Sequence, residues 1–269
     1  MEQILNSVEK LCHLQYYVHN TKIGLIFGRK TEISNIVVKK CVLGNFPSIK
    51  LIALAQEKKA RLIIVKNSFF ADERDIKEIF FQKMRILTEA NIWVYCLGNS
   101  WDYVNGGMLE TTAEALDFKI LGNYYEKDEL GIEYKVGRVI KPQTECYISN
   151  FLIKLSTLIN KKVIRYLGDP EAIIGKTLII LSPNDDRSFI NFLLVNQIKT
   201  LIISSKSTHL FPIFYELHIN AIEIAHDEMV CFGISKLRNL LMIKHPNVEF
   251  ILHEDQHYQE YINENAINN

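Results

Sequence analysis

Asp102 lies in the stretch Ser100-Trp101-Asp102-Tyr103-Val104-Asn105-Gly106-Gly107-Met108-Leu109, the first place in this chain where chemistry can be assigned to a side chain. The apolar run Ile92-Trp93-Val94-Tyr95-Cys96 before it has the length and composition of a buried strand. Residues 110–116 after it read as a helix. An acidic residue just past a strand end, followed by a Gly-Gly turn into a helix, stands where α/β proteins place their reactive groups. The same residue in a purely structural role would cap turn amides. Two histidines occupy comparable positions. His209 follows the apolar run Leu201-Ile202-Ile203, and His226 follows Ala221-Ile222-Glu223-Ile224, with Asp227 and Glu228 after it. A lone histidine in such a place commonly serves packing. Strand-end residues can converge on one cleft, however, and His with Asp suits zinc, iron or manganese.

The elements that must position these residues follow from the hydrophobic pattern. Apolar spacing predicts helices over residues 2–12, 47–59, 73–90, 144–159, 185–196, 210–218 and 230–243. Between them fall strand-like runs at 22–28, 36–42, 61–65, 92–96, 163–167, 176–181, 200–204, 221–224 and 248–252. Residues 118–125 and 131–140 read as a hairpin between the two halves. Alternating helices and strands predict an α/β fold of two packed lobes with mixed sheets covered by helices. The lobes are assigned to residues 1–125 and 126–252, intertwined rather than separated by a linker, with 253–269 as a polar, frayed tail.

Bulk properties narrow the function classes. The 269 residues carry 31 Lys+Arg and 31 Asp+Glu, so no net charge points to a nucleic-acid or membrane-surface partner. Five scattered cysteines, Cys12, Cys41, Cys96, Cys146 and Cys231, form no CxxC pair. They fit small packed hydrophobes in a reducing compartment better than a disulfide or zinc framework. The N-terminal residues lack a signal-peptide pattern, and no apolar run approaches the roughly 20 residues needed to span a bilayer. A cytoplasmic location is expected.

Several short motifs, in order along nearly the whole chain, resemble the Nif-three-like family, also known as GTP cyclohydrolase type homologues. They are Thr21-Lys22-Ile23-Gly24-Leu25 with Gly28, Leu62-Ile63-Ile64, Asp102 with Gly106-Gly107, and Ala113-Glu114-Ala115-Leu116. Further on come Val136-Gly137-Arg138, Arg165-Tyr166-Leu167-Gly168-Asp169-Pro170, and Ala225-His226 with Gly233. The resemblance implies two α/β lobes meeting at a cleft and a toroidal homohexamer, here in the short form without an inserted domain. It also implies a site for two divalent metals, held by a His-His pair, an Asp, and a His with a Glu four residues later.

Carried over by motif, that ligand set is only partly present. The His-His-Pro segment falls on Lys66-Asn67-Ser68, while the aspartate and the later histidine fall on Asp102 and His226. The glutamate falls on Val230, and Glu228 is two residues out of place. The family's Thr-Gly-Asp segment falls on Ile203-Ser204-Ser205, with His209 keeping its histidine, and the Gly-rich turn reads Ser182-Pro183-Asn184-Asp185.

Paired divalent ions need several ligands each, and an ammonium among those ligands repels them. Lys66 is therefore expected to replace the lost metal charge by pairing with Asp102. The favoured expectation is a non-catalytic, oligomeric binding or scaffold protein without a cofactor. Its cleft residues would be Lys66, Asn67, Asp102, His209 and His226, taking an anionic small molecule. The alternative is a hydrolase with one zinc, iron or manganese ion on Asp102 and His226, aided by His209 or Glu228. A nucleic-acid role for a ring lacks the electrostatic footprint it would need.

Overall fold

The computed structural model describes residues 1–12, 23–69, 77–127, 131–183, 187–204 and 210–254. The first sheet is built around β2 (Lys40–Gly44), β3 (Leu62–Val65) and β4 (Trp93–Cys96), which run parallel with Cys41 opposite Leu62 and Leu62 opposite Trp93. All four residues of β3 are fully buried aliphatics, as a central strand covered on both faces requires. Each such side chain contributes about 1.5–3 kcal/mol on leaving water. The antiparallel edge strand is β1 (Gly24–Phe27), beside β4. Gly28 follows it at φ 105°, where a Cβ would come within 2.1 Å of the Trp93 ring. Only glycine lets the backbone lie this close.

Two helices follow the strands they connect, α2 (Ile49–Glu57) and α3 (Lys77–Glu89). Ser48 caps α2 by accepting a hydrogen bond from the Leu51 amide at 3.1 Å. A short helix, α4 (Ser100–Tyr103), leaves β4, and α5 (Met108–Ala115) follows the Gly106-Gly107 turn.

The chain then enters the second sheet through a long hairpin, β5 (Phe118–Lys127) and β6 (Glu133–Pro142). After α6 (Ile148–Leu158) come β7 (Tyr166–Leu167), β8 (Thr177–Ile180), α7 (Arg187–Val195), β9 (Thr200–Ile203), α8 (Phe211–Glu216) and β10 (Asn220–Glu223). The sheet order is β5-β6-β8-β9-β10-β7, with β8, β9 and β10 parallel and the outer strands antiparallel to their neighbours. The long helix α9 (His226–Lys244) carries the chain back, and β11 (Glu249–Leu252) pairs in parallel with β2. The boundary drawn at residue 125 thus falls inside the β5–β6 ladder, and the last strand belongs to the first sheet. One continuous core includes Leu62 and Tyr95 from the first sheet, Ile179 and Ile222 from the second, and α1 (Glu2–Cys12), α5 and α9.

Gly233 sets how closely α9 approaches α5. A Cβ on it would meet Met108 at 2.9–3.1 Å, and its carbonyl accepts the Trp101 indole N–H at 3.0 Å.

Several sequence expectations shift at their edges. Residues 36–39 are not strand, and β7 keeps only Tyr166 and Leu167 of the run at 163–167. The helix expected from residue 230 starts four residues earlier, so His226, Asp227 and Glu228 form its first turn. Acidic side chains in that turn interact favourably with the positive helix N-terminus. His209, Thr21, Lys22, the Asn184-Asp185 turn and the tail from residue 255 lie outside the described residues.

Candidate functional site

Lys66 is the first residue beyond β3, and Asp102 lies in α4 just beyond β4, so the two leave the carboxyl ends of neighbouring parallel strands. The Lys66 amide donates to the Gly44 carbonyl at 3.1 Å, and its carbonyl accepts from Gly98 at 3.0 Å. Its backbone is therefore fixed by β2 on one side and by the β4 exit on the other. The ammonium reaches Asp102 Oδ2 at 3.2 Å, with the two side chains 1% and 2% exposed. The pairing expected from the sequence is formed. Asp102 Oδ1 is buried and has no hydrogen-bond partner among the described residues. Burial pushes the Asp102 carboxyl up to about 6, against the opposing pull of Lys66. Cys12 of α1 interacts with Ser100 and with both members of the pair, and burial pushes its thiol up to about 12. The Ser100 hydroxyl donates to the Leu97 carbonyl at 2.6 Å.

This burial changes what Lys66 can do. An ammonium that is paired and 1% exposed is closed to a ligand arriving from solvent, so Lys66 does not present a charge to an anion in this structure.

Asn67, next in the chain, belongs to a different set of contacts. Its amide nitrogen donates to Asn45 Oδ1 at 2.7 Å, and Asn45 donates in turn to Asp227 Oδ1 at 2.7 Å. The relay ties the ends of β2 and β3 to the first turn of α9. It borders a narrow hollow of about 30 Å³ between Gly44, Asn45, Asp227, Val230, Cys231 and His253, room for a water or two. His226 opens α9 and is half-buried, while Glu228 lies 3.8 Å from Lys161. Val230 is a buried core residue. Among the described residues, no three His, Cys, Asp or Glu side chains are grouped to hold a metal ion.

Sequence reasoning missed the clamp behind Asp102. Arg138 of β6 is fully buried, with Nε 2.7 Å from Glu110 Oε1. Its other nitrogens donate to the Tyr103, Val104 and Gly137 carbonyls. Glu110 also accepts from the Gly106 amide at 2.8 Å, and Lys135 donates to Asn105 at 2.7 Å. The loop after Asp102 is therefore held from the second sheet. The signal available was an acidic residue three positions after the Gly-Gly turn, which could have been paired with Arg138.

The comparisons with known proteins agree along the whole chain. A family model described as Duf34/NIF3 (NGG1p interacting factor 3) matches residues 1–257. A Clostridium perfringens protein named GTP cyclohydrolase 1 type 2 homolog is 24% identical over 229 residues, covering 84% of this chain and 85% of that protein. A Bacillus cereus protein related to NIF3 superposes with a TM-score of 0.77 at 14% identity, covering 97% of this chain and 98% of its own. A Staphylococcus aureus protein gives 0.78 at 13% identity over the same shares. Reduced HcgD from Methanocaldococcus jannaschii gives 0.71 at 16%, covering 93% and 96%. At these identities the structural likenesses speak to the fold.

Proposed function

The chain belongs to the Duf34/NIF3 family, and from that premise we propose that it is a non-catalytic member, an oligomeric binding or scaffold protein. In this reading an internal ion pair replaces the charge of the metals that the sequence resemblance implies. The observation that carries it is the Lys66–Asp102 pair, 3.2 Å apart and buried. The donor set fits a two-metal centre poorly. An ammonium stands against the aspartate, Asn67 is committed to Asn45, and Val230 offers no lone pair. The motif residues that remain hold backbone: Gly28 against Trp93, Gly233 against Met108, and Arg138 across the loop after Asp102.

Self-association, with a hexameric ring as the form implied by resemblance, is part of the same reading. Its support is β5, which ends its sheet and leaves Ile120, Leu121 and Tyr125 exposed. Strand edges of this kind invite pairing or cover. Native mass spectrometry tests it, with a multiple of the 31.2 kDa chain expected.

A one-metal hydrolase is the competing reading, and the observation in its favour is Asp102 Oδ1, buried without a partner among the described residues. Elemental analysis of protein purified without chelator, beside an Asp102→Ala variant, separates the two. The proposal expects no stoichiometric metal in either sample. Zinc, iron or manganese near one per chain, lost in the variant, would favour the hydrolase.

A further inference from the structure

Arg61 immediately precedes β3 and Trp93 opens β4, at the opposite end of these strands from Lys66 and Asp102. Five residues of extended chain separate Arg61 from Lys66, about 16 Å. The Arg61 guanidinium lies over the Trp93 ring, 5.5 Å from its centroid, and Trp93 is itself 6% exposed. Stacking of this kind orients a guanidinium and leaves its in-plane N–H groups free to donate. Arg61 Nε is buried and has no hydrogen-bond partner among the described residues. That nitrogen is sealed from solvent, so on this half-buried side chain the terminal Nη groups are the donors left to face the depression.

Arg61 lines a depression of about 470 Å³ together with Lys39, Gln56, Lys59 and Ala60. Lys39 immediately precedes β2, and Lys59 follows the end of α2. Neighbouring cations are neutralised, Lys40 by Glu249 at 3.1 Å and Lys58 by Glu57 at 2.9 Å. Among the described residues, Lys39, Lys59 and Arg61 have no carboxylate partner, and no acidic residue lines the depression. Three unneutralised cations thus face one small-molecule-sized space in a chain with no net charge.

We propose that this depression binds a small ligand through a diphosphate group. The two Nη groups of Arg61 take one phosphate bidentately, which a planar guanidinium does and an ammonium does not. Lys39 and Lys59 supply point charges to the other. The site does not depend on the fate of the Lys66–Asp102 pair. Lys66 is closed to solvent, so the anion site expected there from the sequence is assigned instead to the other end of the sheet.

Isothermal titration calorimetry on the full chain tests this, with inorganic phosphate, inorganic pyrophosphate, ADP and a short single-stranded oligonucleotide as titrants. Pyrophosphate is expected to bind at least tenfold tighter than phosphate, with affinity falling as salt is raised. Equal affinity for ADP and pyrophosphate would mean that only the diphosphate is read, and tighter ADP that the nucleoside adds contacts. Arg61→Ala is expected to weaken binding at least tenfold, and Arg61→Lys to recover only part of the loss. The exposed pair Lys39→Ala/Lys59→Ala should weaken binding as much with an unchanged melting temperature, which separates lost binding from lost folding. Binding that ignores all these variants, no measurable binding of pyrophosphate, or binding of the oligonucleotide alone would overturn the proposal.

Discussion

Lys66 Nζ and Asp102 Oδ2 meet at 3.2 Å across the carboxyl ends of two adjacent parallel strands. Lys66 follows β3 directly and Asp102 lies in the short helix that follows β4, and the Lys66 backbone is held by hydrogen bonds to Gly44 and Gly98. The carboxylate it meets is buried, so the pair trades a large desolvation cost for mutual attraction. The Asp102 carboxyl, raised to about 6, shows that burial outweighs Lys66 in this balance.

That balance gives a pH dependence. The folded carboxyl, at about 6, holds its proton more tightly than the ordinary value of 3.8. Its contribution to stability is therefore fully present below about 3.8 and is lost as pH rises through about 6. Urea unfolding of wild type and Asp102→Asn from about pH 4 to about pH 7 should show wild type losing ground to the variant across this window. Parallel curves would contradict the raised pKa.

Gly233→Ala should destabilise the fold by about 1–3 kcal/mol, because the new methyl meets Met108 at 2.9–3.1 Å in a packed crossing. A Met108→Ala change in the same chain should recover part of the loss, read as the shift in the urea midpoint. No recovery would mean that the crossing is not what requires the glycine.

Gly28→Ala combines a φ of 105° with a contact of 2.1 Å to the Trp93 ring. A loss of about 1–3 kcal/mol is expected from the backbone alone. Replacing Trp101 by Phe leaves Trp93 as the only tryptophan, and its emission should change on adding the Gly28 substitution. Unchanged emission would place the strain elsewhere.

Arg138→Met removes the hydrogen-bond partner of the Tyr103 and Val104 carbonyls and leaves Glu110 without its cation. Breaking a buried pair by removing one member costs about 3–5 kcal/mol. Amide exchange should accelerate over residues 103–107, behind Asp102, more than in β3. Uniform acceleration would indicate global destabilisation without a local clamp.

Much of this was legible in the sequence. The α/β alternation, the hairpin, the Lys66–Asp102 pair and the family resemblance all follow from local apolar runs and short motifs. The sheet membership of β11 was not legible, because a strand of four residues, three of them apolar, does not state which strand it will join. The first turn of α9 was missed because His226, Asp227 and Glu228 break the apolar period although they suit a helix N-terminus. The Arg138–Glu110 clamp and the Asn67–Asn45–Asp227 relay join residues 22 to 182 positions apart, and no periodicity reports such contacts. The exposure of a cation is equally invisible. Lys66 and Lys59 look alike in the sequence, yet one is sealed in the core and the other faces solvent.

Whether Lys66 supplies the positive charge that the buried Asp102 requires is read from a double-variant cycle. Urea unfolding would be measured for wild type, Lys66→Met, Asp102→Leu and the double variant. Each single change should cost about 3–5 kcal/mol by leaving a buried charge unpaired, while the double should be no worse than the poorer single. Single changes costing under about 1 kcal/mol, or costs that simply add, would mean that Lys66 and Asp102 do not depend on each other.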